Sequence, residues 1–179
     1  QMGERVTPEF HSGHLAPGIQ VVQGVPIILA FDYGLNPSCI AAQVGPQGGL
    51  LIHRAWPRDN AGMRQLLAQD VHPWLGQTGV TTWWYCGGPE AVQREQSDSE
   101  ETALRMIISV LGQAHYRAGP VSWSGRREAL HEALTRTPGG PPWVRVHPRG
   151  AALLVRALEG GWHYTTDGQG RVRNEDVPF

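Results

Sequence analysis

The residue best placed for chemistry is Asp32, which ends an apolar run. Residues 26–31 (Pro-Ile-Ile-Leu-Ala-Phe) show no polar alternation, which predicts a strand buried on both faces. Residues 33–37 (Tyr-Gly-Leu-Asn-Pro) then predict a turn. Asp32 would therefore lie where the strand leaves the core. A carboxylate there can be solvated, can cap a turn or can hold a cation, and this stretch alone does not choose between the three.

The composition is that of a globular domain with a modest charge. The chain has 179 residues, 40% of them hydrophobic, and a formal net charge of -1, so net charge does not indicate a nucleic-acid partner. All 15 basic residues are arginine, whose planar fork suits phosphate. A GC-rich genome explains the same bias. Arginines outnumber acids from His115 onward, so the C-terminal half is the better candidate face for a polyanion.

The cysteines and the hydropathy exclude several classes of protein. Cys39 and Cys86 each lie in an apolar run and are expected to be reduced core residues. No Cys/His pair has the spacing of a zinc site. The sequence contains no signal peptide and no apolar run long enough to cross a membrane.

The first half of the chain predicts a meander followed by a helix and a strand. Residues 4–25 are rich in Gly, Pro and His and predict an extended lead-in, with an edge strand around 19–22. Three apolar runs between Pro26 and Trp56 are separated by short turns, which favours antiparallel strands. Asp59 or Asn60 can then cap a helix that Gly76 to Gly79 ends, and residues 80–86 predict a fourth strand.

The second half predicts alternating helices and short strands. Residues 97–100 have the spacing of a capping box, and the helix behind it would bury apolar positions up to Leu111. Residues 121–123 predict a short strand or connector, after which Ser124 can cap a helix over 125–135. A strand at 143–146, a helix at 151–158 and a hairpin around 167–170 complete the prediction.

This order predicts an α/β domain with a mixed sheet flanked by helices. Residues 1–25 form the lead-in, and residues 26–179 form the domain. The ribonuclease H-like fold has the same order, with three antiparallel strands first. In that fold the first strand presents an aspartate at the centre of the sheet, and the fourth strand lies beside it and presents a second acid.

Several segments resemble, in the same order along the chain, the C-terminal nuclease domain of bacteriophage terminase large subunits, the motors that package and cut phage DNA. Residues 31–37 (Phe-Asp-Tyr-Gly-Leu-Asn-Pro) are similar to an aromatic-rich Asp-x-Gly-x-x-Pro motif of that family. No single match is specific, but five in series are. The other four matching segments are residues 5–14, 88–98, 126–130 and 158–164.

The resemblance implies metal-dependent cutting of duplex DNA. In such nucleases, carboxylates hold two Mg²⁺ or Mn²⁺ ions about 4 Å apart, and Asp32 would be the central bridging ligand. The implied partners are double-stranded DNA, an upstream ATPase domain of the same parent chain, and the portal and small terminase subunit. The implied location is the host cytoplasm during virion assembly, with no role for a membrane. The chain has no Lys and no phosphate-binding loop, so the ATPase site would lie upstream.

Two departures from the family pattern make this nuclease site incomplete. The position of the second acid is occupied by Gly88, for which Glu90 or Asp98 could substitute, although Asp98 is equally explained by a helix N-terminus. The third acid follows a segment that would begin where the chain stops, at Phe179. Glu175 and Asp176 precede that point and are interpreted as solvated. The chain as given would bind the catalytic metals poorly and could be inactive.

Other residues and other functions stay open. The candidate phosphate contacts are Arg94, Arg126 and Arg127, each of which can also be a solvated surface residue. Trp83 and Trp84 could stack on bases, but core packing explains at least one of them. The alternative functions are a non-catalytic ribonuclease H-like module that binds DNA or docks another motor component, and a junction resolvase or transposase of the same fold.

Overall fold

A computed structural model describes residues 4–33, 36–88, 102–112 and 115–164, and within them six strands form a single sheet. The sheet order is β5-β4-β1-β2-β3-β6. The strands are β1 (Ile27–Asp32), β2 (Ser38–Val44), β3 (Leu50–Pro57), β4 (Trp83–Gly87), β5 (Tyr116–Ala118) and β6 (Val144–Val146).

The strand pairing confirms the predicted mixed sheet. β1, β2 and β3 form an antiparallel meander, because the turns between them are too short for a crossover. β4 returns parallel to β1 and lies directly beside it. β5 and β6 extend the two edges, each parallel to its neighbour. The fold class is therefore the α/β, ribonuclease H-like arrangement predicted from the order of elements.

Helices cover both faces of this sheet. Residues 63–78 form one helical segment with a π-helical turn, Leu67–Val71, between its two α-helical parts, and Gly79 ends it in the left-handed conformation (φ 71°). The α-helices are α1 (Met63–Leu66), α2 (His72–Thr78), α3 (Ala103–Leu111), α4 (Trp123–Thr135) and α5 (Ala152–Arg156), the last followed by a π-helical turn at Ala157–Gly161. In the part of the chain that the structure describes, no helix is long and apolar enough to cross a membrane.

Two hydrophobic clusters lie on opposite faces of the sheet. The first cluster joins residues 63–78 and α3 to one face of β1, β2 and β4, with Leu29 and Tyr85 at its centre. The second cluster joins α4, α5 and the lead-in to β2, β3 and β6, with Phe10 and Val146 at its centre. Successive side chains of a strand point to opposite faces of the sheet, so each cluster buries the side chains of one face.

The prediction that β1 is buried on both faces is wrong for one face. Ile27, Leu29 and Phe31 are buried, whereas Ile28 and Ala30 are half-buried and Asp32 is exposed. A strand with apolar residues on both faces looks doubly buried in the sequence, although here only one face is fully covered by other elements.

Several element boundaries also differ from the sequence prediction. Neither Asp59 nor Asn60 caps the first helix; it begins after Gly62, without a side-chain cap. Thr102 caps α3, and Ser122 instead of Ser124 caps α4. Residues 19–22 form no strand, and the short strand after α3 is at 116–118 instead of 121–123. The capping box at 97–100 and the hairpin turn at 167–170 lie outside the described residues.

The lead-in is held to the C-terminal half of the chain by specific hydrogen bonds. Arg5 Nη2 and Thr7 Oγ1 both donate to the carbonyl oxygen of Leu158, each at 2.9 Å. The ring of His14 is buried, and its Nε2 lies 3.0 Å from the carbonyl oxygen of Leu134. These contacts fix residues 5–14 over the second cluster.

Candidate functional site

The site is built where β1 and β4 end side by side. Asp32 is the last residue of β1, and its antiparallel partner on β2 is Ser38. Phe31 is in register with Gly87, so the same register continued by one residue sets Gly88 beside Asp32. Parallel neighbours bring their carboxyl ends to one edge of the sheet. The sequence thus presents one carboxylate and one glycine at the centre of that edge.

Tyrosine side chains occupy the space around the two glycines. A Cβ on Gly87 would lie 2.5 Å from the hydroxyl oxygen of Tyr33 and 2.8 Å from the carbonyl oxygen of Phe31. Burial, together with the neighbouring phenol of Tyr116, raises the pKa of Tyr33 well above its usual range. The Tyr116 hydroxyl donates to the carbonyl oxygen of Gly88 at 2.5 Å. Tyr33 therefore packs against the end of β4, and Tyr116 holds the same end to β5.

The described residues do not form a site for two metal ions. Within 4–33, 36–88, 102–112 and 115–164, no three His, Cys, Asp or Glu side chains come together closely enough to hold a metal. Gly88 supplies no ligand, and Asp32 alone is one hard oxygen donor group where several are required. The other candidate acids, Glu90, Asp98, Glu175 and Asp176, lie outside the described residues, as does Arg94.

Of the two described candidate arginines, Arg126 is the one near this edge. The amide of Gly119 donates to the carbonyl oxygen of Gly87 at 2.8 Å, which ties the segment after β5 to the end of β4. Arg126 Nε donates to the carbonyl oxygen of Pro120 at 2.7 Å. The guanidinium of Arg126 is thereby held next to that segment, one turn into α4.

Arg127 instead takes part in an ion pair with the lead-in. Its Nη2 lies 2.9 Å from Glu9 Oε1, and the Nδ1 of His131 approaches the same oxygen at 2.5 Å. Burial acts to raise the pKa of Glu9, but the hydrogen bonds from His131 and Arg127, with the charge of Arg127, lower it overall. A phosphate that bound Arg127 would have to compete with Glu9.

The tryptophan pair divides between core and surface. The ring nitrogen of Trp83 donates to the hydroxyl of Tyr85 and to the carbonyl oxygen of Leu111, and its ring packs on the first cluster. Trp84 points to the opposite face and is 43% exposed. Cys39 and Cys86 are free thiols, and burial raises the pKa of both. Neither thiol is suited to act as a nucleophile.

Sequence reasoning missed three residues that surround the site, Tyr33, Tyr116 and Arg117. Tyr33 follows Asp32 directly, but nothing in the sequence places its hydroxyl against Gly87. Tyr116 and Arg117 lie on β5, whose three residues are too few to show a period. The adjacent Gly87-Gly88 pair was the one available signal, since paired glycines at a strand end often mark a close approach of another group.

Comparison with solved structures finds the same fold in three phage proteins, whereas no family model matches the sequence and no curated protein matches it significantly. The P22 large terminase nuclease domain aligns with 98% of this chain and 88% of its own, with TM-score 0.58 and 13% identity. The large terminase of a thermophilic bacteriophage aligns with 97% of this chain, with TM-score 0.66 and 12% identity. This chain covers 40% of that thermophilic phage protein.

The third structure is the large terminase nuclease domain of bacteriophage SPP1, determined with bound Mn. It aligns with 88% of this chain and 82% of its own, with TM-score 0.54 and 11% identity. At these identities the similarity establishes a shared fold. The predicted resemblance to large-terminase nuclease domains is therefore confirmed as a resemblance of fold.

Proposed function

We propose that this chain is the nuclease domain of a viral DNA-packaging terminase large subunit, with a metal site that its described residues leave incomplete. The observation that carries the proposal is the position of Asp32. It ends the central strand β1, beside the end of the parallel strand β4, in a chain that shares the fold of three large-terminase nuclease proteins. The substrate would be concatemeric duplex DNA.

Asp32 is a better candidate for a functional residue than for a structural one. Its side chain is exposed, and no hydrogen bond or ion pair is recorded for it among the described residues. An exposed acid without a partner among the described residues contributes little to stability, and its place at the carboxyl edge of the sheet supports a role in ligand binding. The expected cations are Mg²⁺ or Mn²⁺, and the SPP1 domain was determined with bound Mn.

The second candidate function is a non-catalytic module with the same fold. The Gly87-Gly88 pair favours it, because the tyrosines pack against the backbone where the second acid is expected. In this alternative the glycines are the natural state, and the domain binds DNA or another motor component without cutting. The proposed upstream ATPase domain, portal and small-subunit partners apply to both candidates.

The experiment is cleavage of supercoiled plasmid in Mn²⁺, with and without EDTA. The unmodified chain is compared with Gly88→Asp and with Asp32→Ala, and Mn²⁺ binding to each protein is measured by calorimetry. We expect Gly88→Asp to bind Mn²⁺ more tightly than the unmodified chain. Asp32→Ala should show no Mn²⁺ binding and no cutting while it keeps its fold, which is checked by circular dichroism.

Each result separates the candidates. Cutting by the unmodified chain that Asp32→Ala abolishes would mean that an acid outside the described residues, such as Glu90 or Asp98, completes the site. DNA binding by the unmodified chain, together with a Gly88→Asp variant that binds Mn²⁺ no more tightly than the unmodified chain, would support the non-catalytic module. Selective cutting of branched DNA would indicate a resolvase instead.

A further inference from the structure

Among the described residues, one area of the sheet on the same face as Asp32 lies outside both hydrophobic clusters, and it is called the uncovered area below. Side chains alternate along a strand, so Asp32 shares its face of β1 with Ile28 and Ala30. Among the described residues, the second cluster includes no residue of β1, β4 or β5, and it ends at β2. The half of this face that contains Asp32 therefore has only partial cover.

Arg117 and Trp84 lie on this uncovered area. Arg117 is in register with Cys86 on β4, and Cys86 is in register with Ala30 on β1. These three side chains are on one face, and Trp84, two residues before Cys86, is on the same face. Arg117 is exposed, and no ion pair or side-chain hydrogen bond is recorded for it within the described part of the chain. Together the two exposed side chains could contact a phosphate and a sugar or base of one ligand.

The distances suit a ligand that also reaches Asp32. Arg117 is two strands from β1 and two residues back from the level of Asp32, which places their Cα atoms about 12 Å apart at ordinary sheet spacings. An arginine side chain covers part of that separation. A DNA strand that passes Asp32 would thus bring one of its phosphates within reach of Arg117.

We infer that the uncovered face of β4 and β5, with Arg117 and Trp84, binds the sugar–phosphate backbone of the DNA that reaches Asp32. This inference rests on the proposed function and extends it to a binding surface. Arg117 would contact a phosphate through its guanidinium fork. Trp84 would pack its exposed ring against a sugar or base. Arg126, at the same edge, would contact the adjacent phosphate.

The test is fluorescence anisotropy with a labelled duplex of about 30 base pairs in EDTA, over a range of NaCl concentrations. The variants are Arg117→Gln, Trp84→Ala and the control Arg105→Gln. Arg105 is exposed on α3, which packs on the other face of the sheet, so the control removes the same charge from elsewhere. Thermal melts confirm that all variants are folded.

We expect Arg117→Gln to weaken binding about five- to tenfold at low salt and to reduce the slope of log K against log [NaCl] by about 1. Trp84→Ala should weaken binding about two- to fivefold with an unchanged slope, because it removes no charge. Arg105→Gln should change neither quantity. Equal behaviour of Arg117→Gln and Arg105→Gln would overturn the inference and leave the proposed function intact. Failure of the unmodified chain to bind duplex DNA would overturn the proposed function and, with it, this surface.

Discussion

Stability should fall between pH 7 and pH 5 because of one buried histidine, His53. His53 is 5% exposed, and its Nε2 lies 3.1 Å from Gln43 Oε1. The Gln43 amide is oriented by its other bonds, since its Nε2 donates to the carbonyl oxygens of Val22 and Val25. Its oxygen must accept, so His53 Nε2 carries a proton and donates it to Gln43.

The magnitude follows from the pKa of His53, which burial, and then the charge of His147, lower from 6.5 to about 4. The unfolded chain binds a proton below pH 6.5 that the folded chain takes up only near pH 4. The stabilisation from a neutral His53 is therefore fully present above pH 6.5 and is lost as the pH falls towards 4. The loss is about 2 kcal/mol at pH 5 and on the order of 3 kcal/mol at its limit.

The assay is urea unfolding followed by tryptophan fluorescence at pH 8, 7, 6 and 5. The other histidines also titrate in this range, so the informative quantity is the difference in unfolding free energy between the unmodified chain and His53→Gln. Glutamine can still donate to Gln43, and it has no proton to gain. The variant should be less stable at pH 8, and the deficit should shrink by about 2 kcal/mol at pH 5. The matched control is His72→Gln, because His72 is exposed on α2.

A deficit for His53→Gln that stays constant from pH 8 to pH 5 would refute the reasoning. It would mean that His53 is protonated in the folded state at the same pH as in the unfolded chain. If the deficit in unfolding free energy of His72→Gln changed with pH as much as that of His53→Gln, the effect would come from the overall charge of the protein and not from the burial of His53.

Three further predictions concern the contacts around the site. Gly87→Ala should destabilise the fold by about 1–3 kcal/mol in urea unfolding, since the added Cβ meets Tyr33; an unchanged midpoint would contradict this packing. Glu9→Gln should lower the free energy of unfolding by about 1–3 kcal/mol at pH 7, because it weakens the bond to Arg127. This difference from the unmodified chain should vanish as the pH falls below 4.5 and Glu9 is protonated. Asp32→Asn, made in the Gly88→Asp variant, should leave the melting temperature within about 2 °C of that variant while it removes the gain in Mn²⁺ binding; a large drop in stability would indicate a structural role.

The meander and its helices were predictable because local pattern and tertiary structure agree there. The apolar residues with helical spacing on the first helix, Met63, Leu66, Leu67 and Val71, are all buried. β5 was not predictable, because Tyr116–Ala118 becomes a strand by pairing with β4 and has no apolar period of its own. The choice of Ser122 over Ser124 as the cap of α4 also depends on where the preceding loop is anchored.

At the site, the sequence predicted Asp32 and Gly88 as neighbouring positions, and the structure sets them at the adjacent ends of β1 and β4, while their roles in metal binding stay predictions. It could not place Arg127, whose partner Glu9 is 118 residues away. It also could not choose between Trp83 and Trp84, since that choice depends on which face of β4 the helices cover. Which distant residues pair, and which face of a strand the helices cover, are decided only when the whole sheet is assembled.

The bonds between the lead-in and residue Leu158 have a consequence for the order of folding. They join parts of the chain 151 and 153 residues apart, so Thr7 and Arg5 cannot be fixed until almost the whole described chain has been synthesised. Contacts of this span close late, because the loop entropy between them must be overcome first. During synthesis on the ribosome, the meander can form before residues 5–14 make their native contacts, so that Phe10 is still exposed to solvent. The first residues of the domain are therefore among the last to reach their native positions.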